Sequence, residues 1–261
     1  MKWFLRLASL GAAMAAWMYR NAHSEKKRRA VVRLAGKAQF KPFRMLFISD
    51  VHRRKLHRRL FNEPVDIVVI GGDFVERGVS IERIRGNLRI LREMAPVYYV
   101  FGNNDREVGE ELLYKLFEEE CVKVLDDESV ELFGNPRLKL VGIDYFAFRK
   151  ESLAAAFCMV QPDDSIIFVC HTPFIFGKVK ENYTASLLLA GHTHGGQIRI
   201  GPFGIFDRGA LKSGNGRTEL VSNGFGTTTV PLRLGAAAEY HVLEIHPSEG
   251  DTGLAQMARI G

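Results

Sequence analysis

Asp50, His52, Asp73, Asn103, His171, His192 and His194 are the side chains of this sequence best suited to holding metal ions. They stand in short polar clusters: Asp50-Val51-His52, Gly72-Asp73, Gly102-Asn103-Asn104-Asp105, Cys170-His171 and Gly191-His192-Thr193-His194-Gly195-Gly196-Gln197. Carboxylate, amide and imidazole donors without a thiolate cluster suit Mn²⁺ first, with Zn²⁺ or Fe as alternatives, and not Ca²⁺. In each of the pairs Asp50/His52 and His192/His194 the partners are two residues apart, so they can lie on one side of an extended segment. Such a pair can serve one ion or two adjacent ones, and an aspartate can bridge two ions.

Distant residues meet only if the fold brings them together. The runs ahead of the clusters, 45–49, 65–70, 97–101, 166–169 and 187–189, are short, rich in β-branched and aromatic residues, and lack clean alternation. That pattern predicts strands buried on both faces. Each cluster then falls where a strand ends, and in open α/β sheets ligands bind in the crevice beyond the carboxyl ends of the strands. Between the clusters, 80–94 has apolar residues at Ile81, Ile84, Leu88 and Leu91 with Ser80 as a start signal, which predicts a helix. A second amphipathic helix is expected over 109–120, and further strands over 130–133, 138–143 and 240–245.

Taken singly, Asp50 reads as a turn residue, Asp73 as a helix N-cap, Asn103 as a left-handed residue after a strand and His171 as a satisfied histidine. Together, in this order and at strand ends, the motifs D-x-H, G-D, G-N-x-D, H and G-H-x-H resemble those of the calcineurin-like metallophosphoesterases. The resemblance spans about residues 43 to 246 and is similar to the small bacterial branch whose last motif reads GHTHGGQ. It implies an α/β fold, a four-layer α/β/β/α sandwich with two divalent metals at the sheet edge. One ion would be held by Asp50, His52, Asp73 and His194, the other by Asp73, Asn103, His171 and His192, with Asp73 bridging. It further implies hydrolysis of a phosphate ester or anhydride by a metal-bridging hydroxide, with Asp73, His192 and Asn104 as catalytic residues. The sequence lacks a G-x-S-x-G elbow, a P-loop and a G-x-G-x-x-G after its first strand, so rival catalytic schemes have no foothold.

One position departs from the family pattern. The third motif commonly reads G-N-H-[DE], and this chain has Asn104 where the histidine stands. An amide donates a hydrogen bond but delivers no proton at neutral pH. The expected substrate is therefore one with a good leaving group, a phosphoanhydride or an activated diester. Asp105 is read as a helix cap. The cationic run Arg53-Arg54-Lys55-Leu56-His57-Arg58-Arg59 is either a solvated face or, through Arg53 and Arg54, a phosphate clamp beside the site, with Asn104 as a further substrate contact.

The 261 residues, 46% hydrophobic and of net charge +6, can bury the core of one catalytic domain. The expected division is 1–36 as a hydrophobic anchor and basic juxtamembrane linker, 37–246 as the metallophosphoesterase domain and 247–261 as a weakly structured tail. Trp3-Phe4-Leu5 and the stretch 7–19, broken by Arg6 and followed by a run of cations, read as a membrane-associated helix. Its length leaves a tilted span, an interfacial helix or a cleaved signal open. The cations after it favour a cell-membrane location with the catalytic domain on the cytoplasmic side; export after cleavage at Ala13-Met14-Ala15 is the alternative. Cys121, Cys158 and Cys170 form no C-x-x-C motif, so no disulfide framework is expected. Phe146, Phe148, Phe174, Phe176, Phe203 and Phe206 are read mainly as packing residues, some of them able to line a slot for an acyl chain. The expected partners are a phosphorylated small-molecule or lipid substrate and the membrane surface, with no obligate protein partner. A non-catalytic scaffold or a nuclease of the same superfamily are the alternatives, and excess charge confined to 20–37 and 53–59 argues against a continuous nucleic-acid groove.

Overall fold

A computed structural model describes residues 1–146 and 150–248. After helix α1 (Lys2–Ala22) come β1 (Lys26–Leu34), β2 (Phe43–Ile48), β3 (Ile67–Gly71), α2 (Ile81–Arg92), β4 (Val97–Val100), α3 (Glu110–Glu119) and β5 (Val122–Val124). There follow β6 (Glu128–Leu132), β7 (Asn135–Gly142), α4 (Lys150–Ala156), β8 (Ser165–Val169), α5 (Phe176–Asn182), β9 (Leu187–Ala190), β10 (Ala210–Gly214), β11 (Arg217–Val221) and β12 (Glu239–Pro247). They build two six-stranded sheets, ordered β1-β12-β2-β3-β4-β5 and β10-β11-β9-β8-β7-β6. Pairing is parallel except for β12 with β2, β6 with β7 and β10 with β11.

The buried residues explain why the strands lack alternation. In β3, Ile67 and Val69 face the core between the two sheets, while Val68 and Ile70 face α2 and α3. In β8, Ile167 and Val169 enter the same central core, and Ile166 and Phe168 pack toward α4 and α5 with Phe157 and Val179. Each inner strand thus has apolar partners on both sides, and the layers run helix, sheet, sheet, helix. Truncating a central residue such as Leu189 to alanine would cost about 2–5 kcal/mol, because both lost transfer energy and a residual cavity contribute.

The helix expected over 80–94 is α2, and Ser80 caps it by accepting from Arg83 N at 3.4 Å. The basic linker expected within 1–36 is different in the structure. Residues Lys26–Leu34 form β1, which pairs in register with β12 as the outer strand of the first sheet. Its cations point outward while Val32 and Leu34 are buried, a pattern that also protects a sheet edge from further pairing. Among the described residues no helix is long and apolar enough to cross a membrane, which removes the spanning alternative for α1. Its C-terminal part meets the domain: Ala22 is buried, and Arg233 N donates to Met18 O at 3.0 Å. Trp3, Phe4, Leu7, Leu10 and Trp17 remain exposed. Of the phenylalanines considered, Phe176 lies in the core, Phe146, Phe174, Phe203 and Phe206 are exposed, and Phe148 lies outside the described residues, as does the expected tail from 249 onward.

Candidate metal centre

The polar clusters follow β2, β3 and β4 of the first sheet and β8 and β9 of the second, all at their carboxyl ends. Backbone bonds lock these loops together. Asp50 N donates to Gly72 O at 2.9 Å, His52 N to Asp73 O at 3.1 Å and Gly191 N to His171 O at 2.9 Å. Asp50, His52, Asp73, His192 and His194 all take left-handed backbone conformations, with φ of 53°, 51°, 48°, 69° and 50°. Aspartate and histidine tolerate that region better than most residues, yet each instance costs on the order of 1 kcal/mol or more. The strain turns side chains at the strand ends inward. Two glycines leave room for this: a Cβ at Gly191 would strike the Asp50 carboxylate, and one at Gly102 would strike that of Asp73.

Two donor sets result. Asp50, His52 and His194 converge in one, and Asp73, His171 and His192 in the other, with all but His192 buried. His52 Nε2 lies 3.1 Å from His194 Nε2, and His192 Nδ1 lies 3.1 Å from His171 Nε2. His194 Nε2 is 3.4 Å from Asp50 Oδ1, and His171 Nε2 is 3.2 Å from Asp73 Oδ2. Ring nitrogens facing one another beside carboxylate oxygens are what cations would hold together. Asn103 supplies the sharpest test of fit. Its Nδ2 donates to Asn104 Oδ1 at 2.6 Å, whereas its Oδ1 is buried without a hydrogen-bond partner. A buried amide oxygen left bare costs about 1–3 kcal/mol unless something binds it. The residues therefore fit divalent metal ions.

Outer residues orient these donors, a role seen repeatedly around metal sites. His52 Nδ1 sits 2.9 Å from Glu76 Oε2, and the other Glu76 oxygen accepts from Arg53 Nε. His171 Nδ1 lies 2.9 Å from Gly71 O, which takes the Nδ1 proton and leaves Nε2 to face Asp73. Asp105, fully buried, accepts from Asp73 N at 2.9 Å, Val75 N at 3.1 Å and Gly102 N at 2.6 Å. It ties the second and third motifs together rather than capping a helix. Arg233 is also fully buried; its guanidinium donates to Asn223 O at 2.7 Å, Ala236 O at 3.1 Å and His194 O at 3.2 Å, and lies 3.0 Å from His194 Nδ1.

Burial and charge divide the titrations. Burial disfavours the His171 cation, but Asp73 outweighs it and lifts His171 to about 9. Burial likewise opposes charge on His52, and Glu76 with Asp50 and Asp73 raises it. His194 is held well below its ordinary value by burial and by Arg233. Burial and then the neighbouring Asp73 push Asp105 up to about 6.

The two expected clamp residues line one cavity but are held differently. Arg54 donates to Phe225 O at 2.7 Å and Ser24 O at 2.9 Å and stacks 3.9 Å from the Phe225 ring centre, so it ties the end of α1 to the domain. Arg53 is bound to Glu76 and otherwise exposed, beside a cavity of about 540 Å³ that also includes Lys55, His57 and Thr229. Asn104 N donates to Asp73 Oδ1 at 2.7 Å, and its side chain spans Asn103 and Glu107. Sequence reasoning had marked Asp105 for a different role and missed Glu76 and Arg233. Glu76 carries a weak signal, lying three residues after Asp73, but Arg233 carries none, because only the folded loops bring it to His194.

Residues 43–196 match the family model of the calcineurin-like phosphoesterases. The chain is 35% identical to the Bacillus subtilis protein YpbG, over 92% of this chain and 95% of that protein. It is 28% identical to the metallophosphoesterase YkoQ of Bacillus subtilis, over 76% of this chain and 82% of that one. The phosphodiesterase YaeI of Escherichia coli is 28% identical, over 61% of this chain and 63% of its own. Among solved structures, a putative 5′-nucleotidase from Staphylococcus aureus superposes with a TM-score of 0.50 at 12% identity, over 78% of this chain and 54% of that chain, a likeness of fold.

Proposed function

This chain belongs to the calcineurin-like phosphoesterase family and is a metal-dependent phosphoesterase; from that premise we propose a two-metal hydrolase of activated phosphodiesters or phosphoanhydrides, working at the cytoplasmic face of a membrane. The observation that carries the reading is the pair of adjacent donor sets, together with the bare Asn103 oxygen. In this reading Asp50, His52, Asp73 and His194 hold one ion, Asp73, Asn103, His171 and His192 hold the other, and Asp73 is shared. A pair of divalent cations, Mn²⁺ by preference, would supply Lewis acidity to the phosphoryl oxygens and an acidified water.

The protein's own groups then decide the substrate. Glu76 and the Gly71 carbonyl keep His52 and His171 turned inward. Asp105 holds Asp73 in register with Asn103, and Asn104 accepts from the Asn103 amide nitrogen, which would leave the Asn103 oxygen to bind an ion. Asn104 is thus engaged on both ends of its amide and offers no proton to a departing alkoxide. A leaving group that departs without that proton, an aryl oxide, a phosphate or a nucleotide, is favoured. The name of the YaeI relative, a phosphodiesterase, is consistent with a diester. The exposed apolar side chains of α1 fit a helix lying in the interface plane, and this makes a phosphorylated lipid the natural substrate class.

The test is a Mn²⁺-reconstituted screen of a bis-aryl diester, an aryl monoester, a nucleotide diphosphate and a lipid diphosphate, with Asp73→Ala as the control. Turnover of diester or anhydride that disappears in the control is expected. Equal turnover of a simple alkyl monoester would overturn the leaving-group assignment.

A further inference from the structure

The segment 198–206 leaves the last metal-binding motif and returns as a short apolar hairpin. Ile200 N donates to Phe203 O at 2.9 Å and Phe203 N to Ile200 O at 3.1 Å, closing a turn around Gly201 and Pro202. At its tip Ile200, Phe203 and Ile205 are 75%, 77% and 84% exposed. This is a built surface. Arg199 is buried beneath it, donating to Pro202 O at 2.6 Å, to Phe206 O and to Gly195 O at 3.5 Å, so the charged residue is inside and the apolar ones are outside. Such an inversion exposes apolar surface that a monomer in water does not need.

Its surroundings say what covers it. Arg199 N donates to Leu234 O at 2.8 Å, and the adjacent Arg233 N donates to Met18 O at 3.0 Å, so the hairpin and α1 rest on one segment. Arg208 and Lys212, just beyond the hairpin, are exposed and have no ion pair or hydrogen bond among the described residues, while the nearby Glu219 is already paired with Lys180. Exposed apolar side chains beside unpaired cations complement an anionic bilayer, whose headgroups carry the phosphates and whose interior takes the side chains. The hairpin also reaches the metal centre: the Phe206 ring lies 6.0 Å from Phe174, and Phe174 lies 6.1 Å from His192.

We propose that the 198–206 hairpin is a second bilayer contact, inserting Ile200, Phe203 and Ile205 beneath the headgroups of an anionic membrane so that, with α1, it sets the metal centre at headgroup depth. The inference rests on the interfacial reading of α1 and is independent of the hydrolytic chemistry. Trp3 and Trp17 both lie on α1, which makes the two contacts separable by fluorescence.

The experiment uses vesicles of phosphatidylcholine and phosphatidylglycerol in equal parts, with brominated acyl chains. In the native chain, quenching reports α1; in Trp3→Phe/Trp17→Phe/Ile205→Trp, it reports the hairpin. Quenching of both is expected, as is at least about a tenfold loss of vesicle affinity in Ile200→Asp/Phe203→Asp/Ile205→Asp with an unchanged melting temperature. Quenching of Trp3 and Trp17 with none at position 205 would overturn the hairpin contact and leave α1 standing. Absence of quenching in both proteins would overturn both contacts, and hydrolysis of a water-soluble diester would be unaffected by either result.

Discussion

The two donor sets are built from the same residue types but are supported differently. Around His171 the outer partner is a backbone carbonyl, Gly71 O, which accepts from Nδ1 and turns Nε2 toward Asp73. Around His194 the outer partner is the Arg233 guanidinium, which has only donors. Beyond burial, its charge beside Nδ1 helps keep His194 neutral, and His194 Nε2 lies 3.1 Å from His52 Nε2. His52 Nδ1 lies 2.9 Å from Glu76 Oε2. The first set is therefore enclosed, with Arg233 behind His194 and Glu76 behind His52. In the second set His192 and Asn103 are only half-buried and open it to solvent. The contrast suggests that one half of the centre serves as a closed anchor and the other as the side that receives substrate.

The largest effect that tests the comparison belongs to the residue both halves are proposed to share. Asp73→Ala should lower turnover by about 10³ or more and abolish cooperative loading of a second ion, because several kcal/mol of charge stabilisation are lost; calorimetric titration with Mn²⁺ beside a steady-state assay measures both. If the variant kept two equivalent ions, the two sets would be independent. Next comes the open half. Asn104→His restores an ionisable group there and is expected to raise turnover of an alkyl monoester by about 10², with little change for an aryl diester, since general-acid help matters only for a poor leaving group. A uniform rise across both substrates would instead mean that Asn104 limits metal loading. A smaller change is expected in the closed half. Glu76→Gln removes the carboxylate from His52, and by the usual size of such outer contacts one binding step should weaken roughly 10–100-fold while the other is preserved. Equal weakening of both steps would erase the distinction between the halves.

What the sequence revealed follows the same divide. The candidate ligands were legible because each is one short step beyond a strongly apolar strand, and their types limit the metals they suit. The four layers were legible because β3, β8 and β9 are apolar on both faces. β1 was not, because Lys26, Lys27, Arg28, Arg29 and Arg33 dominate its composition and only Val32 and Leu34 mark its buried face. Arg54 has a second role that its place in the sequence does not show: beside Arg53 in one cavity, it also donates to Phe225 O and Ser24 O. Arg233 could not be read at all. Apart from His194 its partners are backbone carbonyls, and a carbonyl leaves no trace in the choice of residue.

The loops that hold Arg233 also give the closed half an acid limit. Arg233 donates to Asn223 O and Gly224 O, and Asn223 is held in turn by Glu239, which accepts from its N at 3.2 Å and its Nδ2 at 2.8 Å. His241 packs against the same strand end, with Nε2 3.2 Å from Ser222 Oγ and 3.7 Å from Glu239 Oε1. Burial pushes its pKa down to about 4, only partly offset by Glu239, so the folded protein keeps it neutral. Above the ordinary value of 6.5 neither the folded nor the unfolded chain protonates it, and it has no pH effect. As pH falls from 6.5 toward 4 the unfolded chain binds a proton that the folded chain does not, so stability declines; below 4 both bind it and the decline stops. The loss across that window is on the order of 2–3 kcal/mol. His241→Gln keeps a polar side chain beside Ser222 and removes the titration, so its melting temperature should fall less than that of the native chain between neutral pH and pH 4. Parallel melting curves for the two proteins across that window would mean that the acid sensitivity lies elsewhere and that the support behind Arg233 is not its source.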